Sequence, residues 1–251
     1  MSALFDDKQL LRYSRQIMLP QFGIEAQQAL AASHVLMLGL GGLGSPAALY
    51  LATAGVGRLT LVDHDTVELS NLQRQILHPA SAIGQAKTGS ARQTLRARNE
   101  AVHIDCVDHK PGDAELDALI ARADCVIDAT DNYSSRFQIN RLCQAQGTPL
   151  VSAAAIRFEG QISVFDFRRD DSPCYACLYP EGGDQAATCS ENGILGPVVG
   201  IMGCLQALET IKLLTGLGEP LAGRLLLFDA LSLQWRTLKL RKDPACPVCR
   251  R

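Results

Sequence analysis

The sequence predicts an α/β protein: a doubly wound, mostly parallel sheet covered by helices, extended toward the carboxyl end by antiparallel strands. Three observations carry that prediction. Short apolar runs at 34–38, 59–63, 102–107, 125–128 and 150–154 alternate with helical patterns near 44–54, 85–98, 114–122 and 134–146. The first run leads directly into a glycine-rich turn, Gly39-Leu40-Gly41-Gly42-Leu43-Gly44. After about residue 155 the texture changes to period-two alternation, Gln161-Ile162-Ser163-Val164-Phe165-Asp166-Phe167, which is the pattern of half-buried antiparallel strands.

Taken in order, the chain opens on a helical segment over roughly 6–19, then the buried strand His34-Val35-Leu36-Met37-Leu38. The helix that follows the glycine turn carries Pro46 in its first turn, where proline is tolerated. Glycine lets the backbone turn sharply and approach a phosphate, and the helix amino-terminus offers N–H donors and partial positive charge. Asp63 ends the next apolar run, where a carboxylate can meet a ribose hydroxyl. These features make the first part a Rossmann-like nucleotide site. A polar stretch rich in glycine and cysteine follows the alternating segment, and 181–192 reads as a mobile surface loop. A helix over 196–215 and strands over 224–229 and 234–240 complete the chain.

The 251 residues suffice for one domain with a large core. Charged residues are 20% and the net charge is −2, which excludes a global attraction to nucleic acid or an anionic membrane. The amino-terminus lacks a basic region followed by an apolar core, so no secretory signal is expected. The apolar stretch 194–205 is short and interrupted by Pro197 and glycines, so no membrane span is expected either. Nine cysteines without an export signal point to a reducing compartment, the cytoplasm, where thiols serve as metal ligands or nucleophiles.

Two CxxC pairs, Cys174-Tyr175-Ala176-Cys177 and Cys246-Pro247-Val248-Cys249, supply the four soft ligands of a structural zinc site. Two unrelated reduced pairs and a redox pair are the alternatives. Cys189 stands apart in the polar loop: it reads equally as a nucleophile within reach of substrate and as a spare surface thiol. Cys106, Cys125, Cys143 and Cys204 read as small core residues. No G-x-S-x-G, no H-E-x-x-H and no P-loop spacing is present, and the five histidines are scattered. The phosphate-directed candidates are cations: Arg74, Lys87 at a helix start and Arg15 in the amino-terminal helix. Asp131, beyond the fourth strand, is placed to hold Mg²⁺ on a triphosphate or to cap the helix 134–146.

Arg12-Tyr13-Ser14-Arg15-Gln16-Ile17, the glycine turn, Leu69-Ser70-Asn71-Leu72-Gln73-Arg74-Gln75, Asp128 to Asn132, Ala155 to Gln161 and the two CxxC pairs, in this order, resemble the MoeB/ThiF adenylyltransferases, relatives of the ubiquitin-activating enzymes. The resemblance implies one adenylation domain over 1–251: an amino-terminal helical segment (1–30), a nucleotide-binding core (31–155), and a carrier-binding, zinc-containing part (156–251). It implies MgATP-dependent adenylation of the carboxyl-terminal glycine of a small ubiquitin-fold sulfur-carrier protein. By matched positions, Gly39, Gly41, Gly42 and Gly44 meet the nucleotide and Asp63 its ribose. Asn71, Arg74 and Lys87 meet the phosphates, with Ser70, Leu72, Gln73 and Asn132 in the same binding elements, and Asp131 binds Mg²⁺. Cys174, Cys177, Cys246 and Cys249 match the zinc ligands. Arg15 matches a residue that reaches the neighbouring protomer's site, which implies a homodimer, and Cys189 matches a loop cysteine that in some members takes part in sulfur transfer.

Glu159-Gly160-Gln161 and the preceding Ala154-Ala155-Ile156-Arg157 favour the molybdopterin-synthase small subunit as carrier, whereas Leu178-Tyr179-Pro180 and Leu233-Gln234-Trp235-Arg236 lean toward the thiamine pathway. With the sequence closing shortly after Cys249, a separate sulfurtransferase is expected to supply sulfur. A nicotinamide-dependent oxidoreductase would use the same glycine turn and Asp63, and a zinc-stabilised scaffold would use the four cysteines. The first leaves Arg74, Asp131 and the four cysteines without a task, and the second predicts no pyrophosphate exchange with any carrier.

Overall fold

A computed structural model describes residues 5–179 and 193–250. The helices are α1 (Asp7–Ile17), α2 (Gly23–Ala32), α3 (Gly44–Ala54), α4 (Lys87–Arg98), α5 (Asp113–Ile120), α6 (Tyr133–Gln146), the short α7 (Tyr175–Leu178) and α8 (Gly196–Thr215). The strands are β1 (His34–Leu38), β2 (Arg58–Val62), β3 (His103–Val107), β4 (Cys125–Asp128), β5 (Leu150–Ile156), β6 (Glu159–Phe165), β7 (Arg224–Asp229) and β8 (Gln234–Lys239). All eight strands form one sheet in the order β3-β2-β1-β4-β5-β6-β7-β8. The pairs from β3 to β5 are parallel, and those from β5 through β8 antiparallel. This is the expected architecture, with the carboxyl-terminal strands continuing the parallel sheet.

The core follows from strand alternation. Val35 and Met37 of β1, with Cys125 and Ile127 of β4, face a cluster built with α3, α4 and α8. Leu36 and Leu38 of β1 and Val126 of β4 face the opposite cluster with α5 and α6. Helices therefore cover both faces, and the chain changes face between β3 and β4. The crevice this opens lies beyond the carboxyl ends of β1 and β4, where ligands bind in such sheets.

Helix α8 is long and apolar enough to cross a membrane by composition, and half of it is buried against the sheet. Its polar residues are tied into that core. Gln206 donates to the carbonyls of Asp128 and Val151, and Glu209 accepts the Leu221 N–H at 2.7 Å.

Three local expectations need correction. The amino-terminal helical segment is two helices; α2, absent from the sequence reading, is alanine-rich, has no side-chain cap and shows little polar–apolar segregation. Asn132, not Asp131, caps α6: its Oδ1 accepts the Ser135 N–H at 2.9 Å. Of the four cysteines expected in the core, Cys125 and Cys143 are buried, while Cys106 and Cys204 are half-buried. Burial raises all four thiols, pushing Cys125 up to about 12, so none is an ionised nucleophile near neutral pH. The loop expected over 181–192, including Cys189, lies outside the described residues.

Candidate active site

A cavity of about 950 Å³ opens at the crevice, lined among others by Gly39, Gly41, Gly42, Asp63, Arg74, Lys87 and Asp131. The glycine turn forms its floor. Gly39 has φ +95°, and a Cβ there would stand 2.7 Å from the Ala129 carbonyl oxygen, so only glycine lets β1 turn here beside β4. Gly44, which does not line the cavity, serves close packing: a Cβ would fall 2.0 Å from the Gly39 carbonyl oxygen. Helix α3 then starts without a side-chain cap, and the N–H groups of Gly41 and Gly42 have no acceptor among the described residues. That leaves donors and helix-dipole charge available to an anion.

Asp63 holds this turn in place. Its Oδ2 accepts the Leu40 N–H at 2.7 Å and its Oδ1 the Asp65 N–H at 2.9 Å. A carboxylate has lone pairs beyond these two bonds, so a ribose hydroxyl can still donate to it. Lys87, the first residue of α4, is buried, and its Nζ lies 2.8 Å from Asp65 Oδ2. Burial opposes ionisation of Asp65, but the hydrogen bond and charge of Lys87 outweigh it and hold the carboxyl below its ordinary range. Asp63, His64 and Asp65 approach one another closely enough to suggest a cation site, yet Asp63 is engaged by backbone and Asp65 by Lys87.

Arg74 follows the short 3₁₀ turn Leu69–Asn71, and its Nη1 donates to the Ser70 carbonyl at 3.1 Å. Within that turn Glu68 N–H donates to Asn71 Oδ1, while Asn71 Nδ2 donates weakly to Ser70 Oγ. Ser70, Asn71, Leu72 and Gln73 do not line the cavity; they form the turn that presents Arg74 and Gln75 to it. Asp131 is exposed and lines the cavity, and its carboxylate makes no hydrogen bond or ion pair among the described residues, as a carboxylate available to a divalent cation would. Asn132 also lines the cavity, with its side-chain oxygen engaged in the cap. Arg15 is exposed on the last turn of α1 and does not reach the cavity of its own chain.

Sequence reasoning missed several cavity residues, Gln75 and Arg136 among them. Gln75 was quoted only as part of its motif; it is buried beside Gly41. Arg136 sits on the buried side of α6 and donates to the Thr130 carbonyl, bracing the Asp131 loop. Burial opposes its charge, but the nearby Asp128 carboxylate, together with Tyr175 and Tyr133, more than compensates. The hint for Arg136 was a cation one turn into a helix that starts beside an expected binding loop.

The two CxxC pairs meet at one point, and none of the four cysteines lines the cavity. Sγ–Sγ distances are 3.9 Å for Cys174–Cys177, 3.6 Å for Cys174–Cys246 and 3.4 Å for Cys177–Cys249. Four thiolates at about 2.3 Å from a tetrahedral zinc stand about 3.8 Å apart, so the set fits that ion, whereas a disulfide needs about 2.05 Å. The Asp243 N–H points at Cys177 Sγ, 3.4 Å away, as backbone donors do toward metal-bound thiolates. A metal here would join the 246–249 turn to α7 and leave no open coordination position.

A family model described as the ThiF family matches residues 13–248. The chain is 51% identical over 247 residues to the molybdopterin-synthase adenylyltransferase of Escherichia coli, covering 98% of this chain and 99% of that protein. It is 49% identical over 244 residues to the sulfur carrier protein ThiS adenylyltransferase of the same organism, covering 97% and 96%. Among solved structures, E. coli MccB with ATP superposes with a TM-score of 0.83 over 95% of this chain and 73% of that one, at 23% identity. PaaA superposes with a TM-score of 0.82 over 97% and 77%, at 25% identity. These two show the shared fold.

Proposed function

The chain belongs to the ThiF family and is an adenylyltransferase; from that premise we propose that its cavity binds MgATP and transfers AMP to the carboxyl-terminal glycine of the molybdopterin-synthase small subunit. The observation that carries the reading is the convergence of Lys87, Arg74 and the unpaired turn N–H groups on a cavity that Asp131 also lines. A terminal carboxylate is already a nucleophile, so no general base is required. Its oxygen forms a bond to the α-phosphorus, the bond from that phosphorus to the pyrophosphate oxygen breaks, and the products are an acyl-adenylate and pyrophosphate.

The difficulty is charge on the phosphates. Arg74 and Lys87 are the cations that oppose it, and the Gly41 and Gly42 N–H groups supply preorganised donors. Asp63 takes the ribose, and Asn71 fixes the turn from which Arg74 projects. Asp131 is the residue that would hold Mg²⁺, which would supply neutralising charge for the phosphates. The four cysteines would hold a structural zinc. Arg15 is a candidate for completing the site of a second copy in a homodimer, and Cys189 remains a candidate for the later sulfur step, with sulfur delivered by a separate sulfurtransferase in the cytoplasm.

A second carrier, that of the thiamine pathway, stays in play because the positions that lean toward it line the same cavity as Glu159, Gly160 and Gln161. Tyr179 and the β8 residues Gln234 and Arg236 line the cavity, and Trp235 beside them stacks on Phe228 with ring centroids 4.2 Å apart. These are the positions whose residue types lean toward that pathway. Pyrophosphate exchange into ATP, measured with each carrier in turn, tests the proposal. Exchange that depends on the molybdopterin-synthase subunit supports it, exchange with only the thiamine-pathway carrier selects the second reading, and exchange with neither refutes both.

A further inference from the structure

The Leu40 backbone, at the centre of the glycine turn, is held on both sides. Its N–H donates to Asp63, and its carbonyl accepts from His78 Nε2 at 3.0 Å and from Ser45 Oγ at 3.3 Å. His78 is 5% exposed and does not line the cavity; its Nδ1 lies 3.0 Å from Ser90 Oγ on α4. A carbonyl only accepts, so Nε2 carries the hydrogen and Nδ1 accepts from the Ser90 hydroxyl. The Leu40 carbonyl thereby dictates the tautomer, and the Ser90 hydroxyl, able to donate, satisfies Nδ1 and holds the ring in place.

The Leu40 carbonyl and the Gly41 N–H are opposite edges of one planar trans peptide. Holding the carbonyl toward His78 and Ser45 aims the Gly41 N–H the other way, toward the cavity that Gly41 lines. That N–H has no acceptor among the described residues, and a bonded carbonyl polarises its peptide and strengthens the N–H as a donor. We propose that His78 is a positioning residue for the nucleotide, fixing the Leu40–Gly41 peptide so that the Gly41 N–H is presented to a phosphate oxygen. The inference rests on the reading of this cavity as the ATP site. It assigns a task to a buried imidazole that the adenylation chemistry does not otherwise use.

The test is the dissociation constant for MgATP, measured by calorimetry on the full chain for wild type, His78→Gln, His78→Leu and Ser90→Ala, with a melting temperature for each. Calorimetry needs no carrier, so it reads the turn directly. Gln retains an N–H donor at the reach of Nε2, and its affinity is expected within about threefold of wild type. Leu removes the donor and is expected to weaken MgATP about tenfold or more, the scale of one lost buried hydrogen bond. Ser90→Ala is expected to fall between. A purely structural role would lower the melting temperature and leave the affinity of the folded protein unchanged. Leu binding as wild type, or Gln as impaired as Leu, overturns the inference. If His78→Leu does not fold, Ser90→Ala with wild-type affinity overturns it. Wild-type protein that binds no MgATP overturns the site reading as well, which separates the two failures.

Discussion

Lys87 Nζ lies 2.8 Å from the carboxylate of Asp65, and the two side chains differ sharply in solvent access, 6% against 55%. A buried ammonium remains charged only beside a counter-ion, and here the counter-ion is the partner that water can reach. A phosphate arriving in the cavity can therefore share the ammonium while Asp65 is still solvated. The pair keeps a cation ready at the floor of the site without sealing it.

Arg74→Ala and Lys87→Ala should each lower carrier-dependent pyrophosphate exchange at saturating ATP by at least about 10²-fold, the scale for deleting a group that stabilises transition-state charge. Asp65 is left open to water in the Lys87 variant, so little stability should be lost with the activity. Circular dichroism and the exchange rate, taken together, check this. Near-normal exchange in the Arg74 variant removes it from the mechanism.

Purified protein should contain about one zinc per chain by elemental analysis. Cys246→Ser should lose the metal and melt roughly 10 °C lower, as a loss of about 3–4 kcal/mol implies for a chain of this size. The turn it anchors holds 246–249 against α7, distant in sequence but adjacent in space. Full-strength folding with no bound metal contradicts the zinc assignment.

Stability should fall as the pH drops below about 6.5, the ordinary imidazole value. Burial, reinforced by the Lys87 charge, holds His78 below that value against the opposing pull of its bond to Leu40. Burial also lowers the half-buried His34. A depressed histidine binds its proton in the unfolded chain first, so the stability it protects is present above the unfolded value and lost on acidification. The slope is at most about 1.4 kcal/mol per pH unit for each histidine, and less for the partly exposed His34. Urea midpoints between pH 7.5 and 5 should show a shallower acid limb in His78→Gln than in wild type. Identical limbs would assign the acid sensitivity elsewhere.

Most of the parallel core was legible because each signal was local. The β1 run His34–Leu38 is apolar throughout, and α3 stops at Gly55, whose left-handed backbone marks a helix end. Helix α2 was not legible: its sequence, Gly-Ile-Glu-Ala-Gln-Gln-Ala-Leu-Ala-Ala, has no polar face, and only packing against α1 and α8 reveals what it covers. The site divides in the same way. The glycines, Asp63, Arg74, Lys87 and Asp131 were found from motif and position. Gln75 and His78 were not, because their meaning lies in partners distant in sequence, Gly41 and the Leu40 carbonyl; Arg136 was not, because its bond to the nearby Thr130 carbonyl depends on how α6 turns its side chain. The choice of Asn132 over Asp131 as cap depended on which side chain the backbone turned toward Ser135.

Intact mass spectrometry of the molybdopterin-synthase small subunit, after incubation with this protein, ATP and magnesium, reads the adenylation itself. A species heavier by one adenylyl group is expected, lost when the carrier's terminal glycine is removed and absent with the Arg74→Ala protein. A carrier of unchanged mass under conditions where the protein binds ATP, for this carrier and for that of the thiamine pathway, would contradict it.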